Sequence, residues 1–214
     1  MIDKKDITVI ICAAGMGMRL GIGVTKTLLK LDGKSLIALQ LEQLQSFDDI
    51  RIVVGFQAEK VIDEVNKIRK DVMYVFNYDY KNTGPAESVS RALFKAREYI
   101  IVLDGDLLID PNSFKMFLNY DEECICVSKQ KSSEPIGVEV VDNCVVSFNN
   151  EQFQYEWIGV AKIRADKLLK NKFAIYDMIA PSLPLNKFEI KAIDIDTAED
   201  YESAANWIKN NYVG

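Results

Sequence analysis

Short β-branched apolar runs alternate along the chain with stretches whose apolar residues recur at helical spacing, the pattern of an α/β fold. Thr8 to Cys12 is the first predicted strand and runs into a glycine-rich turn. Ile37, Leu41 and Leu44 then fall at i, i+4 and i+7 on one helix face. Arg51 to Val54 is the next strand, Val61, Val65 and Ile68 mark a second helix, and Val72 to Phe76 a third strand. Val89, Leu93 and Ala96 form the apolar stripe of a helix that begins near Pro85. Tyr99 to Leu103 follows as a strand with no charged position, as expected at the covered centre of a parallel sheet.

After Asp110 the runs shorten. Cys124 to Val127, Gly137 to Val141, Val145 to Phe148 and Trp157 to Ile163 predict a mixed or antiparallel extension of the same sheet. Phe188 to Ile195 is the last predicted strand. Ala198 to Asn210 is the closing helix, with Glu199 and Asp200 in its first turn and Asp196 or Thr197 as its cap. With no linker or repeat, residues 1–214 read as one domain. Ligands of open α/β sheets bind beyond the carboxyl ends of the strands, here just after Cys12, Gly55, Leu103 and Ile195.

Composition narrows the chemistry. At 214 residues and 49% hydrophobic, the chain is long enough for one sizeable core. It contains no His, which removes Ser-His-Asp and Cys-His hydrolase mechanisms and most zinc catalysts. Cys12, Cys124, Cys126 and Cys144 form no CxxC pair and read as reduced, buried residues. A net charge of -6 argues against nucleic acid or an anionic membrane as partner, and no stretch approaches the roughly 18 apolar residues of a membrane span. A cytoplasmic protein is expected.

Four motifs carry candidate chemistry. Ala13-Ala14-Gly15-Met16-Gly17-Met18-Arg19 follows a strand and leads to Lys26; glycines let backbone amides approach a phosphate chain, and Arg19 and Lys26 supply charge. A dinucleotide fold would place a helix directly after the glycines and an acidic residue about 20 positions on, where Ser35 stands. Asp104-Gly105-Asp106 ends the buried strand, and residues two apart in an extended chain share a face, so both carboxylates reach the cleft as hard ligands for Mg2+. Asp194 and Asp196 repeat that spacing. The fourth motif runs from Asn77 through Tyr80 and Thr83 to Ser88.

These residues resemble the small-molecule nucleotidyltransferases of the MobA-like NTP transferase family, in order AAGxGxR, Lys, Gly33-Lys34, a GD and a closing IDTxED segment. The departures are Met18, Thr25 and Ser35, where Thr or Ser, Pro and Pro are usual. The Asn77, Tyr80, Thr83, Ser88 spacing is similar to that of bacterial phosphocholine and phosphonate cytidylyltransferases. The resemblance implies a Rossmann-like three-layer nucleotidyltransferase (GT-A-like) fold, with a mostly parallel central sheet and a smaller mixed or antiparallel extension. A nucleotide-binding half would span about 7–110 and an acceptor half about 111–200. It implies that Ala13, Ala14, Gly15, Met16 and Gly17 bind the nucleotide together with Thr83, Ser88 and Asp104. Lys26 and Arg19 would be catalytic, and Asp106 and Asp196 would hold one or two Mg2+. Tyr155, Glu156, Trp157, Tyr176, Asp177 and Asp194 would line the acceptor site, the aromatics and carboxylates suiting a cationic head group. Core packing is the alternative for the aromatics.

The activity implied is transfer of CMP from CTP, or of another nucleotide from its NTP, to a small phosphorylated alcohol, amine or phosphonate, with release of pyrophosphate. The alternatives are a sugar-phosphate nucleotidyltransferase, a glycosyltransferase of related fold and an inactive nucleotide-binding module. A homodimer is left open.

Overall fold

The computed structural model describes residues 2–17, 23–129, 132, 134–149, 151 and 153–211. β1 (Ile7–Ala13) leads through the glycine loop to a hairpin of β2 (Lys30–Leu31) and β3 (Lys34–Ser35). Ser35 caps α1 (Leu36–Gln43), its hydroxyl accepting from Ala38 N at 3.3 Å. β4 (Ile50–Val54), α2 (Ala58–Asn66), β5 (Met73–Phe76), α3 (Pro85–Ala92) and β6 (Tyr99–Asp104) follow. The second half contains β7 (Leu107–Ile109), α4 (Pro111–Leu118), β8 (Cys124–Ser128), β9 (Ile136–Val141), β10 (Cys144–Phe148) and β11 (Tyr155–Arg164). It closes with α5 (Ile175–Ile179), β12 (Leu185–Glu189), β13 (Ala192–Asp194) and α6 (Ala198–Asn211).

Nine strands form one sheet in the order β5-β4-β1-β6-β11-β8-β12-β10-β9. Alternation divides its side chains between two cores. Val9, Ile11, Ile52, Val54, Ile101 and Leu103 face α1, α2 and α4, whereas Ile10, Val53, Ile100 and Val102 face α3 and α5. The result is a three-layer α/β/α arrangement. The central strands β5, β4, β1 and β6 run parallel, and the second half is a mixed extension in which β8 and β12 pair parallel while β11 pairs antiparallel with β6, β8 and β9, and β10 with β12 and β9; the correction is to its size, since the extension is not the smaller part of the sheet. Because β9 returns to β11, the strands β11, β8, β12, β10 and β9 close into a small barrel.

The predicted strand Phe188 to Ile195 is two strands. Ile190 N donates to Val127 O at 3.0 Å, but the Lys191 carbonyl already accepts from Asp110 N at 2.9 Å, so the chain leaves the main sheet and pairs with β7 as β13. α4 lies where no helix was expected. Asp110 caps it, accepting from Ser113 N at 2.8 Å, with Pro111 at its first position. Among the described residues no helix is long and apolar enough to cross a membrane.

Two buried cations close the ends of helices. Arg51, 4% exposed in β4, donates to the carbonyls of Ala92, Phe94 and Lys95 at and just beyond the α3 C-terminus and pairs with Asp49. Lys162 on β11 does the same below α4, donating to Phe117 O at 3.0 Å and to Tyr120 O; burial lowers its pKa. Arg51→Met removes the Arg51–Asp49 pair, leaving Asp49 to the Thr8 hydroxyl and Arg97, and leaves three carbonyls without a donor. It should therefore cost about 3 to 5 kcal/mol in urea unfolding; a loss below about 1 kcal/mol would show that water replaces the guanidinium.

Candidate active site

The cleft opens at the carboxyl ends of β1 and β6, beside the N-terminus of α3. Two adjoining cavities of about 360 and 400 Å³ share Cys12, Gly15, Lys26, Pro85 and Asp106. Gly17 adopts φ +59°, and a Cβ there would meet Lys26 Cγ at 2.9 Å, so the turn and the lysine stem fit together only around glycine. Thr25 ties the loop: its hydroxyl donates to Gly15 O at 3.2 Å and its N–H to Gln57 Oε1 at 3.2 Å, while Gln57 Nε2 reaches Gly23 O at 2.8 Å. Gln57 was not singled out in the sequence. Ala13, Ala14, Gly15 and Gly17 border the cavities, whereas Met16 is half-buried outside them. Arg19 and Met18 lie outside the described residues.

The acidic wall is built by two turns that meet. Gly105 N donates to Cys12 O at 3.0 Å, and a Cβ at this position would lie 2.6 Å from that oxygen. β7 and β13 pair, and Ile195 N donates to Asp106 O at 3.3 Å, which brings Asp106 beside Asp194 and Asp196. The carboxylate oxygens of the three lie within 4.8 Å of one another. Asp196 is not the helix cap. Thr197 and Asp200 form a reciprocal capping box, with Asp200 N to Thr197 Oγ1 at 3.2 Å and Thr197 N to Asp200 Oδ2 at 2.8 Å. The Asp196 carboxylate is thereby left for the cleft.

Lys26 Nζ donates to Asp106 Oδ2 at 3.0 Å and to Asp196 Oδ1. Burial opposes its charge, yet Asp106 and Asp196 outweigh burial and raise its pKa. The neighbouring acids respond in the other sense. Burial, with the charges of Asp106 and Asp196 added, pushes Asp194 up to about 9; burial and Asp106 raise Asp104 well above the carboxylate range. Asp194 Oδ1 is buried and has no hydrogen-bond partner among the described residues. A trio of hard oxygen donors with one orphaned oxygen fits a divalent cation such as Mg2+.

On the opposite wall Asn77, 1% exposed, donates through Nδ2 to Thr83 Oγ1 at 3.0 Å and to Ser88 Oγ at 3.2 Å. Thr83 in turn donates to Asp79 O at 2.9 Å. Asn77, Tyr80, Thr83 and Ser88 all border the 400 Å³ cavity, as do Asp104, Asp106, Asp194 and Asp196.

The residues assigned to the acceptor do not assemble into a cage. Trp157 is buried in the α3/α5-side core, its ring against Phe148 and Tyr176 at centroid distances of 5.8 and 6.4 Å and its indole N–H on Val160 O at 3.1 Å. Tyr155 is also buried, donating to Glu189 at 2.9 Å beneath the Lys187 ammonium. Glu156 accepts from the Ser132 N–H and hydroxyl. Tyr176 belongs to the Trp157 cluster, and Asp177 is exposed on α5. Of the six, Asp194 alone borders the cleft. The physical reason is that β11 has neighbours on both edges and layers on both faces, so its aromatics are covered wherever they point. Glu134 and Ile136, not anticipated, border the cavity instead.

A mixed sheet with helices on both faces and an acidic, glycine-looped cleft at its strand ends is a nucleotidyltransferase framework. The CTP:phosphocholine cytidylyltransferase of Streptococcus pneumoniae superposes with a TM-score of 0.80 at 21% identity, over 95% of this chain and 99% of that one. The inositol-1-phosphate CTP transferase of T. maritima gives 0.78 at 21% identity, over 98% of each. The MobA-like NTP transferase domain matches residues 9–159, and the chain belongs to that family. In sequence it is 31% identical over 142 residues to the bifunctional protein GlmU of Aliarcobacter butzleri, and 29% over 171 residues to that of a Nitratiruptor species. The matches cover 65% and 77% of this chain but 32% and 39% of those relatives.

The packing of Trp157 has a measurable consequence. Trp157→Ala should lower stability by about 3 to 5 kcal/mol in urea unfolding, while nucleotide affinity of the folded variant stays within about twofold. A stable variant with weakened ligand binding would move the ring from the core to the site.

Proposed function

We propose that the chain transfers a nucleotidyl group from a nucleoside triphosphate, CTP by preference, to a phosphate or phosphonate oxygen of a small acceptor, with pyrophosphate as leaving group. The observation that carries this reading is the meeting of Lys26 with Asp106, Asp194 and Asp196 between the glycine loop and the Asn77–Thr83–Ser88 cluster. The acceptor oxygen forms a bond to the α-phosphorus, the bond from that phosphorus to the bridging oxygen breaks, and the electron pair leaves with pyrophosphate. An ionised phosphate oxygen needs no general base, which suits a chain without His. Catalysis then reduces to positioning and charge neutralisation.

Asp106, Asp194 and Asp196 would hold Mg2+, which when bound supplies positive charge against the triphosphate oxygens. The Lys26 ammonium stays charged and, by turning from Asp106 and Asp196, reaches the phosphates as negative charge moves to the leaving group. Arg19 is assigned to the triphosphate by family resemblance. The preference for CTP is supported by two of the structural neighbours, both described as acting with CTP. It is supported also by the Ser88 hydroxyl, which accepts from Asn77 and keeps its hydrogen to donate, matching the O2 or N3 acceptor of cytosine. The acceptor is read as a small phosphorylated alcohol or amine, or a phosphonate.

Pyrophosphate release with the four NTPs against phosphocholine, phosphoethanolamine, aminoethylphosphonate and sugar phosphates tests the reading. CTP should exceed the others by at least about tenfold in kcat/KM; equal turnover with ATP or GTP would remove the base assignment. Asp106→Ala and Asp196→Ala should each lower turnover by at least about 100-fold, and a folded Asp106→Ala enzyme with near-normal rate contradicts the metal role.

Lys26 can be tested separately. Lys26→Ala should reduce kcat more than it raises KM for CTP, the signature of an interaction strengthened in the transition state. A rise in KM alone would make it a ground-state anchor.

A further inference from the structure

We propose that Gln40, which does not border the cleft, is a positioning residue that fixes the Asp104–Leu107 turn and with it the direction in which Asp106 presents its carboxylate to a divalent cation. The inference rests on the metal-dependent transferase reading of the cleft. Gln40 lies on α1 among the buried residues Leu36, Ile37, Leu39 and Leu41 and is 1% exposed. Its Nε2 donates to Asp104 O at 2.9 Å and to Leu107 O at 3.0 Å, so one amide group spans the two residues between those carbonyls, Gly105 and Asp106. Its Oε1 is buried without a hydrogen-bond partner among the described residues.

That last observation decides between packing and positioning. An apolar side chain of similar size fills the same volume without burying an acceptor that nothing satisfies, and an unmade hydrogen bond of this kind is a net cost. The amide is worth its orphaned oxygen only through what its NH2 group holds. What it holds is the turn carrying Asp106, whose other restraints, Gly105 N to Cys12 O and Ile195 N to Asp106 O, fix its backbone toward β1 and β13. Gln40 adds the restraint toward α1. Release of that side lets the peptide planes flanking Asp106 rotate, which changes the separation of Asp106 from Asp194 and Asp196. Loss of a residue that orients a metal ligand from behind typically costs about 10- to 100-fold in metal affinity or activity, and a restraint on one ligand's direction is read first in affinity.

The test is Gln40→Met, which keeps length and loses both donors. Mn2+ binding is read by electron paramagnetic resonance with and without CTP, beside the Mg2+ dependence of pyrophosphate release. The Mn2+ dissociation constant and the Mg2+ concentration for half-maximal rate should both rise by about tenfold or more. At saturating Mg2+, kcat should return to within about threefold of wild type, and KM for CTP should not move. If Gln40→Met does not fold, Gln40→Leu, which likewise carries no donor, should show the same rise in Mn2+ dissociation constant. A folded variant with wild-type Mn2+ affinity and an unshifted Mg2+ curve, whatever its stability, overturns the inference and leaves Gln40 as packing. A loss of kcat that saturating Mg2+ does not restore overturns it too. Wild-type protein that binds no Mn2+ even with CTP removes the metal reading itself, and this inference with it; normal wild-type binding beside an unaltered variant removes this inference alone.

Discussion

The Lys26 ammonium between Asp106 and Asp196 is the interaction on which the cleft depends. It joins residues 80 and 170 positions apart in the chain, and the segments it joins are the glycine loop, the end of the central strand and the start of the last helix. Two opposite charges about 4 Å apart near a protein surface attract by about 4 kcal/mol, and behind the ion pairs the same segments meet in one apolar cluster through Leu29, Leu108 and Ile195. Around that single described ammonium the cavity gathers Asp104, Asp106, Asp194, Asp196 and Glu134. Like charges at such density cannot all stay ionised, and the raised pKa of Asp104 and of Asp194 is the relief available without further cations. In the proposed reaction these acids favour the triphosphate as its complex with a divalent ion over the bare anion.

The rest of the molecule keeps this charged cluster in place by satisfying its own buried polar groups at a distance. Arg51 fixes the carbonyls at the far end of α3, and the Phe173 carbonyl accepts from Ala86 N at 3.2 Å at the near end, so the helix axis aimed at the cleft is held from both sides. Lys162 secures the end of α4 in the same manner. Each is a polar side chain inside an apolar layer, and each is tolerated because it donates to carbonyls at a helix end, the Phe117 carbonyl being shared with the Tyr120 N–H. Rigidity at these ends matters because a site that works by positioning loses its advantage when its groups drift by an ångström.

Much of this framework was legible in the sequence because it follows from short-range rules. The strands from Thr8, Arg51 and Tyr99 are β-branched runs between turn residues, and the acidic turns sit where such strands end. What escaped depends on long-range pairing or on context. β7 and β13 are three residues each, too short for a period, and exist because each supplies the other's hydrogen bonds. α4 was hidden in Asp110-Pro111, which reads equally as a turn and as a helix start. Gln40 interrupts an apolar helix stripe and looks like a solvent-facing position; only the packing of α1 over the Asp104–Leu107 turn reveals its partners. The aromatics of β11 allowed two readings in the sequence, a ligand cage or core packing. Their chemistry suited a cationic ligand, but a strand covered on both faces and paired on both edges offers them no cavity.

β11 nevertheless shapes the site, through the one residue in it that has no side chain. Its register shifts between Trp157 and Ala161, and within that bulge Gly159 takes φ +74°, where a Cβ would lie 2.2 Å from Asp104 Oδ2. Any other residue would force the Asp104 carboxylate out of its buried place beside Asp106. The same strand covers the edge of β6 from Tyr99 to Leu103, so β6 is buried between β1 and β11 and its terminal acids leave the sheet in a fixed direction. The antiparallel half is thus part of the nucleotide-side geometry rather than an appendage to it. A cut after Asp110 would expose β6 as an unprotected apolar edge and release Asp104 at the same time. The acidic cleft exists only when the chain has returned from the barrel to close over its own central strand.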